Sequence, residues 1–198
     1  MSSPSHPDIA KRSDAALNRE RILEAARRAF SDSSADVSMA EVARLAGVGR
    51  PTLYRNFADR RDLLEALYTA EVDELCAAAV PGSGESPRAA LETWLRRFVG
   101  FVASKHRYGA ELLQRTGSDN PVFGGSRERV LQAGWPLLEA ARRSGEVGTD
   151  LGLDQILDLI VAVGSIDSDE AYVGPVREAV LRGILSPPGD HLASAHGG

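Results

Sequence analysis

The sequence predicts an all-α protein of about nine helices, with a helix-turn-helix near its N-terminal end. Three observations carry this. Apolar residues recur at three- and four-residue spacing along nearly the whole chain, and no stretch alternates as a half-buried strand would. Clusters of Pro and Gly cut that pattern into about nine helical segments. The 198 residues are 43% apolar and 26% charged, which leaves room for a sizeable core in an ordinary globular protein.

The segments follow in order. Residues 1–16 are polar, contain Pro4 and Pro7, and lack the apolar run of a signal peptide, so they read as a disordered tail. A first helix runs from near Asn18 to Phe30, with Ile22, Ala25, Ala26, Ala29 and Phe30 on one face. After a polar loop come two short helices, Ser38–Leu45 and Arg50–Asn56, separated by a turn at Ala46–Gly49. Asp59 is placed to cap a fourth helix through Leu63, Leu64, Leu67, Tyr68 and Leu75. The first three helices and the start of the fourth occupy residues 17–62, and the remaining helices residues 63–186. Pro81-Gly-Ser-Gly-Glu-Ser-Pro87 reads as a linker. Beyond it the pattern gives helices near 88–104, 108–114, 126–144, 153–163 and 170–185, then a flexible tail at 187–198.

Several functions are disfavoured at this stage. No stretch approaches the roughly 18 apolar residues that span a bilayer, so no membrane is expected. The single Cys76 cannot form an intrachain disulfide, which fits a reducing cytoplasm, and it reads as a semi-buried filler. His6, His106, His191 and His196 are scattered, and no nucleophile elbow, zinc-protease, Walker or dinucleotide motif is present. The expectation is no enzyme, no cofactor and no metal. The net charge of −5 hides an asymmetry: residues 1–61 carry +3 (11 basic, 8 acidic) and residues 62–198 carry −8 (12 basic, 20 acidic). A basic N-terminal third on an acidic body suits phosphate binding by one end only, and does not by itself assign a function.

The densest local signal lies between Ser38 and Phe57. Ser38-Met-Ala-Glu41 is a capping box, in which the Ser hydroxyl accepts from the N–H three residues on and Glu41 reaches back. Gly47 stands where the first helix must stop, in the left-handed conformation glycine tolerates. Pro51 falls in the first turn of the second helix, where its missing N–H costs nothing. Leu53 and Phe57 point back at the core, leaving Arg50, Pro51, Thr52, Tyr54, Arg55 and Asn56 for the outer face and flanks. That set suits a recognition helix in the major groove of double-stranded DNA. Arg50 matches guanine O6 and N7, and the Thr52 methyl matches thymine. Tyr54, Asn56 and Arg60 match phosphate oxygens. The competing expectation is a helical ligand-sequestering or protein-interaction module that no longer reads DNA, against which the Arg50, Arg55 and Arg60 set speaks.

The residues Ser38-Met-Ala-Glu-Val-Ala-Arg-Leu-Ala-Gly-Val48, Thr52-Leu-Tyr-Arg-Asn-Phe57 and Asp59-Arg-Arg-Asp-Leu-Leu64, with the helix ending in Ala29-Phe30, resemble the tetracycline-repressor (TetR) family. The resemblance covers about residues 18–68. It implies a three-helix DNA-binding head joined by a fourth helix to a C-terminal all-helical ligand-binding and dimerisation body. It also implies a homodimer on a pseudo-palindromic operator, usually a repressor, with a small-molecule effector bound in the body. It places base contacts at Arg50, Pro51 and Thr52, and phosphate contacts at Ser38 or Met39, Tyr54, Asn56 and Arg60. Gly49 stands where the family commonly has Ser, so the cap of the recognition helix loses its hydroxyl.

In the body, Trp94, Phe98, Phe101, Tyr108, Leu112, Trp135 and Leu138 form the candidate wall of an apolar effector pocket, with core packing as the plainer reading of each. The effector expected there is apolar or amphipathic. Leu157, Ile160, Val161 and Gly164, with Val176, Val180, Gly183 and Ile184, lie on the last two helices, which the resemblance implies form a four-helix dimer interface.

Overall fold

The computed structural model describes residues 6–32, 37–116, 121–166 and 168–187. Eight helices and no strand occur among them: α1 (His6–Asp32), α2 (Met39–Ala46), α3 (Arg50–Asn56), α4 (Arg60–Ala77), α5 (Pro87–Thr116), α6 (Pro121–Arg143), α7 (Leu153–Gly164) and α8 (Glu170–Ile184). The count falls below nine because the expected boundary at residues 104–108 does not exist. Ser104-Lys-His-Arg107 contains neither Gly nor Pro, and α5 runs through it. At the other end α1 begins at His6 rather than near Asn18. Pro7 sits in its first turn, and the residues that follow contain no Gly. The remainder of the expected tails, residues 1–5 and 188–198, lies outside the described residues.

The chain divides into two compact units. The first comprises Met1–Thr69 and Arg107–Gly117, the second Ala70–His106 and Ser118–Gly198. The division falls inside α4 and α5, not at the Pro/Gly-rich segment at 81–87. That segment is a turn within the second unit. Gly84 supplies its left-handed position at φ +79°, the Gly82 N–H donates to Glu85 at 2.9 Å, and Ser86 caps α5 by accepting from the Ala89 N–H at 3.2 Å.

The first unit is built on the apolar stripe of α1. Ile22, Ala25, Ala26, Ala29 and Phe30 are buried, as are Val42 and Ala43 of α2, Leu53 of α3, and Leu63, Leu64 and Leu67 of α4. Its alanines keep the helices close, since no side chain beyond Cβ has to be accommodated.

In the second unit Trp94 is the largest fully buried side chain. Gly134 of α6 faces its ring so closely that an added Cβ would overlap it. Gly164 at the end of α7 plays the same part against α5, where a Cβ would stand 2.5 Å from Val102 Cγ1. Both glycines are there because a side chain of α5 packs directly on the backbone of the neighbouring helix. Arg96 of α5 binds Glu178 of α8 at 2.6 Å, Arg88 donates to Leu185 O at 3.1 Å, and Arg127 of α6 binds Asp158 of α7 at 2.8 Å. The two ion pairs are exposed, so they fix register more than they add stability, while the Arg88 bond to the Leu185 carbonyl is part-buried. Arg96 holds the Glu178 carboxyl below its ordinary range.

Candidate nucleic-acid interface

The helix-turn-helix is assembled by local chemistry. Ser38 Oγ accepts from the Glu41 N–H at 3.2 Å and starts α2. The second half of the expected capping box is replaced: the Glu41 carboxylate turns to Arg44, at 2.6 and 2.9 Å, and that guanidinium holds it below the usual carboxylate range. Gly47 ends α2 at φ +65°, and the Val48 N–H returns to Ala43 O at 3.0 Å. A β-carbon at that φ would cost about 1–2 kcal/mol, which explains the glycine. Gly49 caps α3 without a side-chain bond, as expected from its lost hydroxyl. Pro51 lies in the first turn. Phe57 closes the helix, fully buried, with its N–H on Leu53 O at 2.9 Å.

This geometry sorts the candidate contacts. Ser38, Gly49, Arg50, Pro51, Tyr54 and Arg55 are exposed, while Met39, Thr52, Asn56 and Arg60 are half-buried. Tyr54 is 46% exposed although it is a large ring beside fully buried Leu53, so the outer face of α3 is genuinely turned outward. Arg55 Nη2 donates to Thr52 Oγ1 at 2.9 Å, and Asn56 Nδ2 donates to Thr52 O at 2.8 Å. Asp59 Oδ1 accepts from the Asp62 N–H at 2.8 Å, setting the start of α4. Arg60 does not stand free there. It donates to Val37 O, and its guanidinium lies 5.2 Å from the Phe30 ring centroid. Arg19 was not singled out in the sequence, yet it donates to Asn56 O at 3.1 Å and stacks 4.4 Å over the Phe57 ring.

The body residues divide differently from expectation. Trp94, Phe98 and Leu138 are buried and Phe101 is half-buried. Trp94 and Phe98 stack at 6.4 Å, Phe98 and Phe101 meet tilted at 6.0 Å, and the Trp94 indole N–H donates to Leu75 O at 3.1 Å. Trp135, expected to share this space, is instead 51% exposed, because Gly134 is the residue of α6 that faces Trp94. Leu112 is buried but belongs to the first unit, and the side chain of Tyr108 lies outside the described residues. A polar cluster went unnoticed in the sequence. Glu71 is buried and accepts from Ser104 Oγ at 3.2 Å; the neighbouring Lys105 lies 5.6 Å from the Phe123 ring, and burial pushes its ammonium pKa down. The signal was legible: Glu71 interrupts the apolar spacing Leu67, Tyr68, Val72, Leu75. Cys76 is half-buried and burial pushes its thiol pKa up, which disfavours a reactive thiolate.

Of the eight interface candidates on the last two helices, Leu157, Ile160 and Ile184 are buried within this chain, and Gly164 is seated on Val102. Val161 and Gly183 are exposed and Val176 and Val180 half-buried. Leu151, Leu159, Val180 and Gly183 line a groove of about 390 Å³ between α7 and α8. α7 is apolar on two sides, one of which serves its own core. Among the described residues no helix is long and apolar enough to cross a membrane, and no group of His, Cys, Asp and Glu side chains could hold a metal ion.

An all-helical chain that holds a basic recognition helix outward on a small buried core is, by class, a DNA-binding transcriptional regulator. Comparison with known proteins agrees. Residues 22–67 match the model of the bacterial regulatory proteins of the tetR family, and residues 86–185 match the C-terminal domain of SbtR-like transcriptional regulators. An uncharacterised HTH-type transcriptional regulator of Mycobacterium tuberculosis is 34% identical over 182 residues, covering 87% of this chain and 93% of the relative. The crystal structure of the TetR regulator SCO0520 from Streptomyces coelicolor is similar at a TM-score of 0.71 and 34% identity, over 86% of this chain and 99% of that one. A TetR regulatory protein from Mycobacterium vanbaalenii is similar at 0.66 and 31%, over 85% and 97%. The chain belongs to the TetR family of transcriptional regulators. Proteins of this family are DNA-binding transcription factors rather than enzymes.

Proposed function

We propose that this chain is a cytoplasmic repressor that binds a pseudo-palindromic operator as a homodimer and is released by a small apolar or amphipathic effector. The observation that carries the DNA half is the outward face of α3, where Arg50, Pro51, Tyr54 and Arg55 are exposed around a buried Leu53–Phe57 anchor. Arg50, Pro51 and Thr52 read base edges in the major groove. Ser38, Met39, Gly49, Tyr54, Arg55 and Asn56 meet the phosphates on either side. Arg60 joins them with part of its donor capacity already given to Val37. A gel shift against the region upstream of the protein's own gene, and against a random duplex pool, tests this. Binding should be sequence-selective and weaken steeply with salt. The DNA reading fails if neither pool yields such binding.

Exposed apolar surface on α7 and α8 supports dimerisation there. Leu159 is 38% exposed and Val161 41%, on a helix whose other side is already buried. Placing a carboxylate in that surface with Leu159→Glu should bury an unpaired charge at a cost of several kcal/mol. Sedimentation velocity should show the variant as a monomer at concentrations where the parent is a dimer. A variant that dimerises as well as the parent would move the interface elsewhere.

For the effector, Trp94, Phe98, Phe101 and Leu138 offer apolar contacts, and Glu71, Ser104 and Lys105 offer polar ones nearby on α4 and α5. An effector acts by binding the two head spacings of the dimer with different affinity; equal affinity shifts nothing.

A further inference from the structure

We propose that Arg19 is a positioning residue for DNA reading, which fixes the tilt of the recognition helix by tying its last turn to α1. The proposal rests on the DNA-binding role described above. Two contacts of different kinds carry it. Arg19 Nη1 donates to the carbonyl of Asn56, the last residue of α3, at 3.1 Å. The same guanidinium lies 4.4 Å from the ring centroid of Phe57, the fully buried C-cap. The hydrogen bond restrains sliding of the helix end along its axis, and the stacked plane restrains its swing over the core. A cation also suits the carbonyl end of a helix.

The position needs arginine rather than charge alone. A planar guanidinium can lie flat on a ring while an N–H in that plane reaches a carbonyl; the ammonium of lysine is a compact point charge with no such plane.

The recognition helix is short enough for this to matter. α3 has seven residues and so is roughly 10 Å long, and its N-terminal cap, Gly49, contributes no side-chain bond. A tilt of about 10° about one end displaces the other by roughly 2 Å. That exceeds the tolerance of a bidentate bond to a base edge, whereas a phosphate contact on a flexible side chain follows the movement. The expected signature is therefore a loss of discrimination more than a loss of affinity.

The full-length chain tests this, using a duplex selected from a random pool and an unrelated duplex of equal length. Arg19→Ala and Arg19→Lys should each lower the specific-to-non-specific affinity ratio by about tenfold. Arg19→Lys should keep the parent's salt slope and its affinity for the unrelated duplex, with unchanged far-UV circular dichroism. Three results overturn the proposal. Arg19→Ala weakens both duplexes alike, the salt slope drops by about 0.9, and lysine restores it, as for a phosphate contact. Alternatively, the variants melt earlier but keep the parent's ratio while folded, as for a purely structural contact. Finally, the parent binds no duplex selectively, which removes the DNA reading and this proposal together. Should Arg19→Ala fail to fold, Arg19→Lys carries the test alone, because it retains the charge.

Discussion

Replacing Trp94 with alanine is expected to destabilise the protein by about 3–5 kcal/mol, the range for truncating a large buried aromatic. The side chain is 1% exposed, stacks on Phe98, and fills the space left by Gly134. That space cannot be closed cheaply, because Gly134 has no side chain to move into it. The Leu75 carbonyl also loses the indole donor, which adds about 1 kcal/mol. Against a typical total of about 5–15 kcal/mol, one substitution removes a large share of the stability. Urea unfolding followed by circular dichroism, at one fixed protein concentration, measures it. A loss below about 1 kcal/mol would mean that the ring is dispensable to packing and that Gly134 does not seat it.

Arg50→Ala is expected to have the largest effect on sequence reading, a loss of about 1–3 kcal/mol of discrimination at one base pair in each half-site. Arg50 is exposed at the first position of α3, the end that a recognition helix presents to base edges, and no neighbour among the described contacts diverts it. The measurement is a set of affinities for the selected operator and for single-base variants at every position of one half-site. The parent should show a preference that vanishes at one position in the variant. Uniform weakening across the set, with a shallower salt dependence, would reassign Arg50 to the phosphates.

The head was legible in the sequence almost residue by residue, for a physical reason. The Ser38 cap, the left-handed Gly47, Pro51 in the first turn and the Phe57 anchor each depend on one residue and neighbours within a turn of it. What the sequence hid there was long-range. Arg60 reads as a phosphate contact and Arg19 draws no notice, and only packed helices reveal that each spans to a carbonyl and a ring on another segment. The body was less legible because apolarity does not say which way a side chain points. Trp135 drew attention by its size, whereas the residue that meets Trp94 is Gly134, whose contribution is the side chain it lacks. On α7, buried Leu157 and Ile160 and exposed Leu159 and Val161 are chemically alike, so pattern alone could not separate core from outer surface. The break expected at 104–108 has no Gly or Pro within it, and α5 runs on through Gly109.

The opposite settings of the two tryptophans have a practical consequence. Trp94 is sealed in an apolar core and Trp135 is half open to water, and they are the only indoles in the chain. Their fluorescence therefore separates into a blue-shifted emitter shielded from iodide and a red-shifted emitter open to quenching. The protein carries its own pair of optical probes, one reporting the integrity of the body and the other whatever comes to rest against the outer side of α6.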